Sequence, residues 1–308
     1  MMTAPPINAM TFDVEDYFQV SAMEGVVDRS TWQGMPSRVE RNMDRLLAVL
    51  DDTGVRATFF TLGWIAERYP QLVRRIVTEG HELASHGYWH ERVTALTANQ
   101  FREDVCRAKG VLEDTGGVPV YGYRAPSFSI DKTNLQVLRT LRDTGHRYSS
   151  SIYPVHHDHY GMPDAPRTPF RPLGDDGVLE LPMTTVRLGG RNLPAAGGGY
   201  FRLLPYTVSR QALRRVNTTE GMPGIFYLHP WELDPGQPRI AGLGQKTRFR
   251  HYVNLSRTEG RLRRLLADFH WGAIDTAYAD VLSGEPLAPT GPVTGHPAQA
   301  DVVSEGVN

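Results

Sequence analysis

The sequence is poor in cysteine, in net charge and in long apolar runs, and each shortage excludes a class of protein. Its 308 residues include one cysteine, Cys106, which excludes an intrachain disulfide and a cysteine-rich zinc site. The formal net charge is −1, which argues against nucleic acid or an anionic membrane as a partner. No apolar run approaches the ~20 residues of a transmembrane helix, and residues 1–10 lack the pattern of a signal peptide. We therefore expect a cytoplasmic protein in which any metal is held by His, Asp or Glu.

Short apolar runs alternate with helical patterns along most of the chain, whose composition (40% hydrophobic and 22% charged) is that of a globular protein. Strands are predicted at 7–12, 56–63, 147–152, 177–183, 224–230 and 271–276, and a strand that runs into a loop is predicted at 81–87 and at 120–128. Helices are predicted at 37–54, 70–80, 97–117, 131–146 and 256–269. Such alternation favours a parallel sheet wrapped by helices, either a barrel or a doubly wound sheet. We expect one domain over 8–283, with a long irregular loop at 153–175, and a disordered tail at 284–308.

Four polar clusters each follow an apolar run, where a predicted strand ends. They are "TFDVEDYF" (11–18), "HELASHGYWH" (81–90), "YGYRAPSFSI" (121–130) and "GIFYLHPWEL" (224–233). In parallel α/β folds, ligands bind at the carboxyl ends of the strands. The clusters are therefore expected to meet at one edge of the sheet.

The first two clusters contain candidate metal ligands. Asp13, Glu15 and Asp16 follow the first strand, and crowded acids repel one another unless a cation neutralises them; the alternative is a polar turn. His86 and His90, four residues apart, could bind a divalent ion through neutral imidazoles. The alternative is that His86 caps the loop while His90 packs beside a tryptophan. Catalytic zinc sites commonly use three protein ligands and an open position for water.

The other two clusters offer a fixed cation and a proton carrier. Arg124 could hold a nearby carboxylate ionised, or form an ordinary surface ion pair. His229 stands at a strand end and could act as a general acid near neutral pH, or simply bond a backbone carbonyl. The segment "HHDH" (156–159) lies in the predicted loop and is interpreted as solvated, with a possible contact to substrate, rather than as the metal site.

Taken in order, these clusters resemble the motifs of the polysaccharide deacetylase family, the carbohydrate esterases with a NodB-homology domain. The motif counterparts are "TFDVED", "SHGYWH", "RAP" and "YLH", and the resemblance spans about residues 8–280. It implies an α/β fold, a distorted seven-stranded (β/α) barrel, and hydrolysis of an N-acetyl group on an amino sugar. It also implies a divalent metal, usually Zn²⁺, bound by one acid with His86 and His90. Asp13 would be the general base, oriented and ionised by Arg124, and His229 the general acid.

Five stretches carry a further resemblance: "DVEDYFQVSA", "YRAPSFSI", "GYFRLLPY", "YLHPWELDP" and "RHYVNLSRTEGRLRRLL". They resemble one subfamily, the bacterial deacetylases of exosortase-type exopolysaccharide loci, which carry an extra C-terminal region. This region is expected within about 145–280. The usual adjacent Asp-Asp is replaced here by Asp-Val-Glu-Asp, so either Glu15 or Asp16 could be the metal acid. The motif that normally tunes the acid histidine is missing, and Glu180, Trp231 or Glu232 could replace it. The oxyanion would rest on the metal and on a backbone N–H such as that of Tyr88.

The sequence thus predicts a metal-dependent deacetylase of a polysaccharide or lipid-linked oligosaccharide, acting in exopolysaccharide biosynthesis. Its expected partner is an N-acetylated glycan, with no nucleic acid, and it could associate with a membrane through the polysaccharide machinery. One alternative is a metal-independent amide hydrolase of the allantoinase-like type. Another is a catalytically weak carbohydrate-binding protein. The oligomeric state stays open.

Overall fold

Strands and helices alternate along the chain in the computed structural model, which describes residues 5–158 and 160–284. The strands are β1 (Asn8–Val14), β2 (Thr58–Thr61), β3 (Glu82–Ser85), β4 (Gly122–Tyr123), β5 (Tyr148–Ser149), β6 (Leu179–Glu180), β7 (Thr185–Leu188), β8 (Arg191–Pro194), β9 (Ile225–Leu228) and β10 (Trp271–Gly272). The helices are α1 (Val39–Thr53), α2 (Gly63–Arg68), α3 (Pro70–Thr78), α4 (Ala98–Gly116), α5 (Val137–Asp143), α6 (Gly198–Leu203), α7 (Tyr206–Thr218), α8 (Gln245–Tyr252), α9 (Leu255–Asp268), α10 (Ile274–Ala277) and α11 (Ala279–Leu282).

Seven parallel strands form one curled sheet in the order β6-β5-β4-β3-β2-β1-β9, and the short β10 pairs with the start of β1. All seven residues of β1 are buried, because β2 and β9 flank it and helices cover the sheet. Parallel strands buried on both faces read as apolar runs, as this sequence does. The α/β fold with a curled seven-stranded half-barrel confirms the predicted fold class.

Several elements differ from the sequence expectations. The helix predicted at 131–146 is limited to Val137–Asp143, since Asp131–Asn134 form a turn closed by side-chain hydrogen bonds. The strand predicted at 177–183 is limited to Leu179–Glu180. The hairpin of β7 and β8 was not predicted, although its turn, Gly189-Gly190, is a recognisable hairpin signal with positive φ at both glycines.

The chain ends lie largely outside this description. Of the tail predicted to be disordered (284–308), only Gly284 is among the described residues. Among the helices that are described, none is both long enough and apolar enough to cross a bilayer. The irregular segment 153–175 contains no α-helix or strand in its described part, as expected.

Candidate active site

Glu15, His86 and His90 meet at the carboxyl edge of the sheet. One ligand atom from each lies within 4.8 Å of the others, and all three side chains are buried. Glu15 Oε2 is 2.8 Å from His90 Nε2, yet it accepts no hydrogen bond within the described residues. An orphaned buried carboxylate oxygen facing two imidazoles fits a shared cation, because a buried charge must otherwise be paired.

The protonation states of Glu15 and His86 suit a metal site. His86 Nδ1 donates to the Arg124 carbonyl oxygen at 2.8 Å, which leaves its Nε2 with a free lone pair. Burial lowers the pKa of His86 to about 4. Burial acts to raise the pKa of Glu15, but the nearby histidines, His90 first, outweigh it and lower that pKa to about 2. A carboxylate and neutral imidazoles are the donor set that Zn²⁺ prefers.

Asp16 lies next to Glu15 in the chain but is not placed with the histidines. Its buried Oδ2 accepts hydrogen bonds from Ser37 Oγ (2.8 Å), Arg38 N (2.7 Å) and Val39 N (3.2 Å). It therefore caps the first turn of α1, whose own N-cap side chain makes no such bond. Of the two acids that the sequence left open as the metal acid, Glu15 lies with the two histidines and Asp16 does not.

Asp13 lies beside the cluster of Glu15, His86 and His90 and is paired with Arg124. Arg124 is fully buried, and its Nη1 donates to Asp13 Oδ1 at 2.7 Å and to Thr11 Oγ1 at 2.9 Å. Its Nε donates to the Ser150 carbonyl oxygen at 3.1 Å, so neighbouring strands fix the guanidinium. Arg124 thus has a buried carboxylate partner rather than a surface one, and Asp13 Oδ2 stays available.

His229 closes the site from the end of β9. Its Nε2 lies 3.3 Å from Glu15 Oε1 and 3.9 Å from Asp13 Oδ2. Its Nδ1 is 2.7 Å from Glu232 Oε1, and its ring stacks on Trp231 with centroids 5.2 Å apart. Burial opposes the charged imidazolium, but the hydrogen bond to Glu232 and the charge of Glu15 raise the pKa of His229 to about 9.

Glu232 is the residue that orients His229, and it is itself paired with Arg202. Burial acts to raise the Glu232 pKa, but Arg202 and His229 lower it to about 2. Arg202 Nε donates to Glu232 Oε2, and its Nη1 donates to the carbonyls of His251 (2.8 Å) and Val253 (3.1 Å). The sequence left Glu232 among several candidates and gave no sign of Arg202, which comes from α6.

Glu180 was the other carboxylate considered as the residue that tunes His229, but its side chain binds backbone groups instead. Its Oε1 accepts the backbone N–H groups of Ser151 and Ile152 at 2.8 and 2.7 Å. The Tyr88 amide is also not free to face substrate, because it donates to Asp104 Oδ2 at 2.9 Å. This placement corrects the expectation that the Tyr88 N–H stabilises an oxyanion.

Two family patterns match consecutive parts of the chain. The polysaccharide deacetylase pattern covers residues 9–148, and a domain of unknown function (DUF3473) covers 150–279. Residues 9–148 are thus similar to the polysaccharide deacetylase family, and they are called the deacetylase segment below. This deacetylase segment supplies Asp13, Glu15 and both histidines of the cluster, whereas 150–279 supplies His229.

Individual relatives are deacetylases by name. The chain is 30% identical over 92 residues to the peptidoglycan-N-acetylglucosamine deacetylase of Bacillus cereus, covering 30% of this chain and 34% of that protein. It is 31% identical over 119 residues to the peptidoglycan deacetylase of Helicobacter pylori, covering 39% of each. The match to the chitooligosaccharide deacetylase of Sinorhizobium fredii is 40% over 67 residues, covering 22% of this chain and 31% of that protein. The chain thus spans well under half the length of each of these relatives.

A solved structure is similar to this chain over both matched segments and not only over the deacetylase segment. A Mycobacterium smegmatis protein proposed to be a polysaccharide deacetylase superposes with a TM-score of 0.60 at 20% identity, covering 95% of this chain and 99% of that one. In the present structure the two matched segments build one sheet, because β9 of the second segment pairs with β1 of the deacetylase segment.

The residues of the site open into a cavity of about 410 Å³. The deacetylase segment contributes its floor, with Asp13, Glu15, His86 and His90 among the lining residues. The second segment contributes other walls, which include Tyr160, Tyr227, Trp231 and Arg250. Of the His-rich stretch 156–159, His157 stacks on the cavity-lining Tyr160 with ring centroids 4.0 Å apart.

Proposed function

We propose that this protein hydrolyses the N-acetyl group of an amino sugar in a polysaccharide or lipid-linked oligosaccharide, with a divalent ion held by Glu15, His86 and His90. The observation that carries the proposal is the convergence of Glu15 with two buried histidines, with Asp13 and His229 beside them. Zn²⁺ is the expected ion, because the donor set is two imidazoles and one carboxylate. The kinship of residues 9–148 supports the same reaction.

The proposed chemistry assigns a proton to each side chain. A bound Zn²⁺ would lower the pKa of a water molecule to about 7 and polarise the amide carbonyl. Asp13 Oδ2 would take the proton of the attacking water, since Oδ1 is engaged by Arg124. His229 Nε2 would give a proton to the departing sugar nitrogen, while Glu232 holds the Nδ1–H. The separate environments of Asp13 and His229 let one act as base and the other as acid at one pH.

The wider role is also a proposal. The resemblance of the second segment to the exosortase-associated subfamily suggests exopolysaccharide biosynthesis as the context. Because Tyr160, Trp231 and Arg250 of this segment line the cavity, the segment is expected to determine which glycan is accepted.

Metal content and acetate release together test the function. We expect about one equivalent of zinc or a similar ion in purified wild-type protein and its loss in His86→Ala/His90→Ala. The matched control is His156→Ala/His157→Ala, which removes two histidines outside the cluster and should leave the metal in place. Wild-type protein is then assayed for acetate released from N-acetylglucosamine oligomers. Absence of metal after zinc is supplied would overturn the mechanism and favour the metal-independent hydrolase or the glycan-binding protein.

A further inference from the structure

Two arginines with unsatisfied donors line the proposed active-site cavity. Arg250, on α8, is exposed and makes no hydrogen bond or ion pair among the residues that the structure describes. Arg92 follows His90 by two residues, and its buried Nε has no hydrogen-bond partner in the same set. Arg92 forms a partly exposed ion pair with Glu24, whose Oε2 is 3.5 Å from that Nε, and its other guanidinium nitrogens have no acidic partner in the same set. Both guanidiniums can therefore accept a further anionic partner.

The carboxylates of this cavity are already engaged. Within the described chain, the acids that line it are Asp13 and Glu15, of which Asp13 is paired with Arg124 and Glu15 belongs to the cation cluster. The third lining arginine, Arg202, is neutralised by Glu232. The charge of Arg250 is thus unpaired within the described residues, and that of Arg92 is shared with Glu24, which does not line the cavity.

The position of α8 directs this charge at the cavity. Thr247 and Arg250 lie three residues apart on one helical face, and both line the cavity. Arg248, on the same helix, is exposed and is not a lining residue. Arg250 is therefore distinguished from its basic neighbour by where it points, not by its charge.

Resting on the deacetylase function proposed above, we propose that the substrate carries an anionic group next to its N-acetylated sugar, and that Arg250 and Arg92 bind it. The group is a carboxylate or a phosphate, because both match the planar fork of a guanidinium. Bidentate, charge-assisted hydrogen bonds of this kind discriminate an acidic glycan from a neutral one of the same size.

Binding to a catalytically inert protein tests this inference apart from the reaction. Three probes are titrated by calorimetry into Asp13→Asn: a heparosan tetrasaccharide for the carboxylate, UDP-N-acetylglucosamine for the phosphate, and neutral chitotetraose. We expect one acidic probe to bind roughly tenfold more tightly than chitotetraose. In that background Arg250→Ala or Arg92→Ala should remove most of this preference, because each should weaken binding of the acidic probe more than binding of chitotetraose. The acidic probe that binds identifies the group.

The matched control is Arg248→Ala, which removes the same charge from α8 and should leave all three affinities unchanged. Equal binding of acidic and neutral probes would overturn the inference, as would an equal loss with Arg248→Ala and Arg250→Ala. If Asp13→Asn does not fold, the titrations are repeated on chelator-treated wild-type protein. Acetate release without acid preference would leave the deacetylase function standing and refute the anion site. If an acidic probe binds in an Arg250-dependent way but the protein holds no metal and releases no acetate, the anion site is supported and the deacetylase function is refuted.

Discussion

Replacing Glu232 by glutamine should damage both stability and amide hydrolysis, because Glu232 lies between Arg202 and His229. The side chains of Glu232 and Arg202 are 0% and 3% exposed. Removing one partner of such a buried pair costs about 3–5 kcal/mol, since the other charge is left uncompensated. Arg202 keeps its hydrogen bonds to the carbonyls of His251 and Val253, so the lower end, about 3 kcal/mol, is expected for Glu232→Gln.

A double-mutant cycle measures the pair itself. We expect Arg202→Met to cost a similar amount, and the double variant to cost less than the sum by about 2 kcal/mol, measured by urea unfolding. The pKa of Glu232 is lowered to about 2 from an ordinary value of 4.5. Its contribution is therefore complete above pH 4.5 and is lost as the pH falls through 2. Additive losses at neutral pH would show that the two side chains do not stabilise each other.

The same variant tests the proposed acid. Glu232→Gln should slow acetate release from an N-acetylated sugar by about 10²-fold or more, because a neutral amide no longer stabilises the protonated His229 by its charge. An aryl acetate ester, whose phenolate leaves without a proton, should be hydrolysed at close to the wild-type rate per folded molecule. An equal loss on the amide and the ester would refute the assignment of Glu232 to leaving-group protonation.

Three further substitutions have distinct expected results. Asp16→Ala should lower the free energy of unfolding by about 2 kcal/mol, through the lost cap of α1, with metal content unchanged; loss of metal would contradict the capping role. Arg124→Met should cost about 3–5 kcal/mol in urea unfolding, because Asp13 is left buried without its partner, and a cost under about 1 kcal/mol would refute this. Burial raises the pKa of Glu82 to about 7, so its stabilising effect is complete below pH 4.5 and is lost as the pH rises through 7. Glu82→Gln should thus gain stability relative to wild type between pH 4.5 and 8, and a difference that is constant with pH would exclude the ionisation of Glu82 as its cause.

The local sequence pattern was sufficient to predict the fold class and the convergence of most of the candidate site residues. The carboxyl ends of parallel strands share one edge, so residues that follow successive apolar runs had to converge, and Asp13, His86, His90 and Arg124 do so. Helix α4 was equally predictable, because Thr97 and Gln100 form a capping box at its start. The predicted ranges for β6 and α5 were too long. Their sequence patterns are short or weak, and contacts with loops determine where these elements end.

What the sequence by itself determined is the set of chemical groups and the strand ends that carry them. It could not choose between Glu15 and Asp16, since both are acids one residue apart, and the choice depends on which one meets α1. It could not find Arg202 either, because its partner Glu232 is 30 positions away in the chain. Only the tertiary structure pairs β9 with β1 and brings Arg202 of α6 to Glu232, because contacts between segments distant in the chain form only on folding.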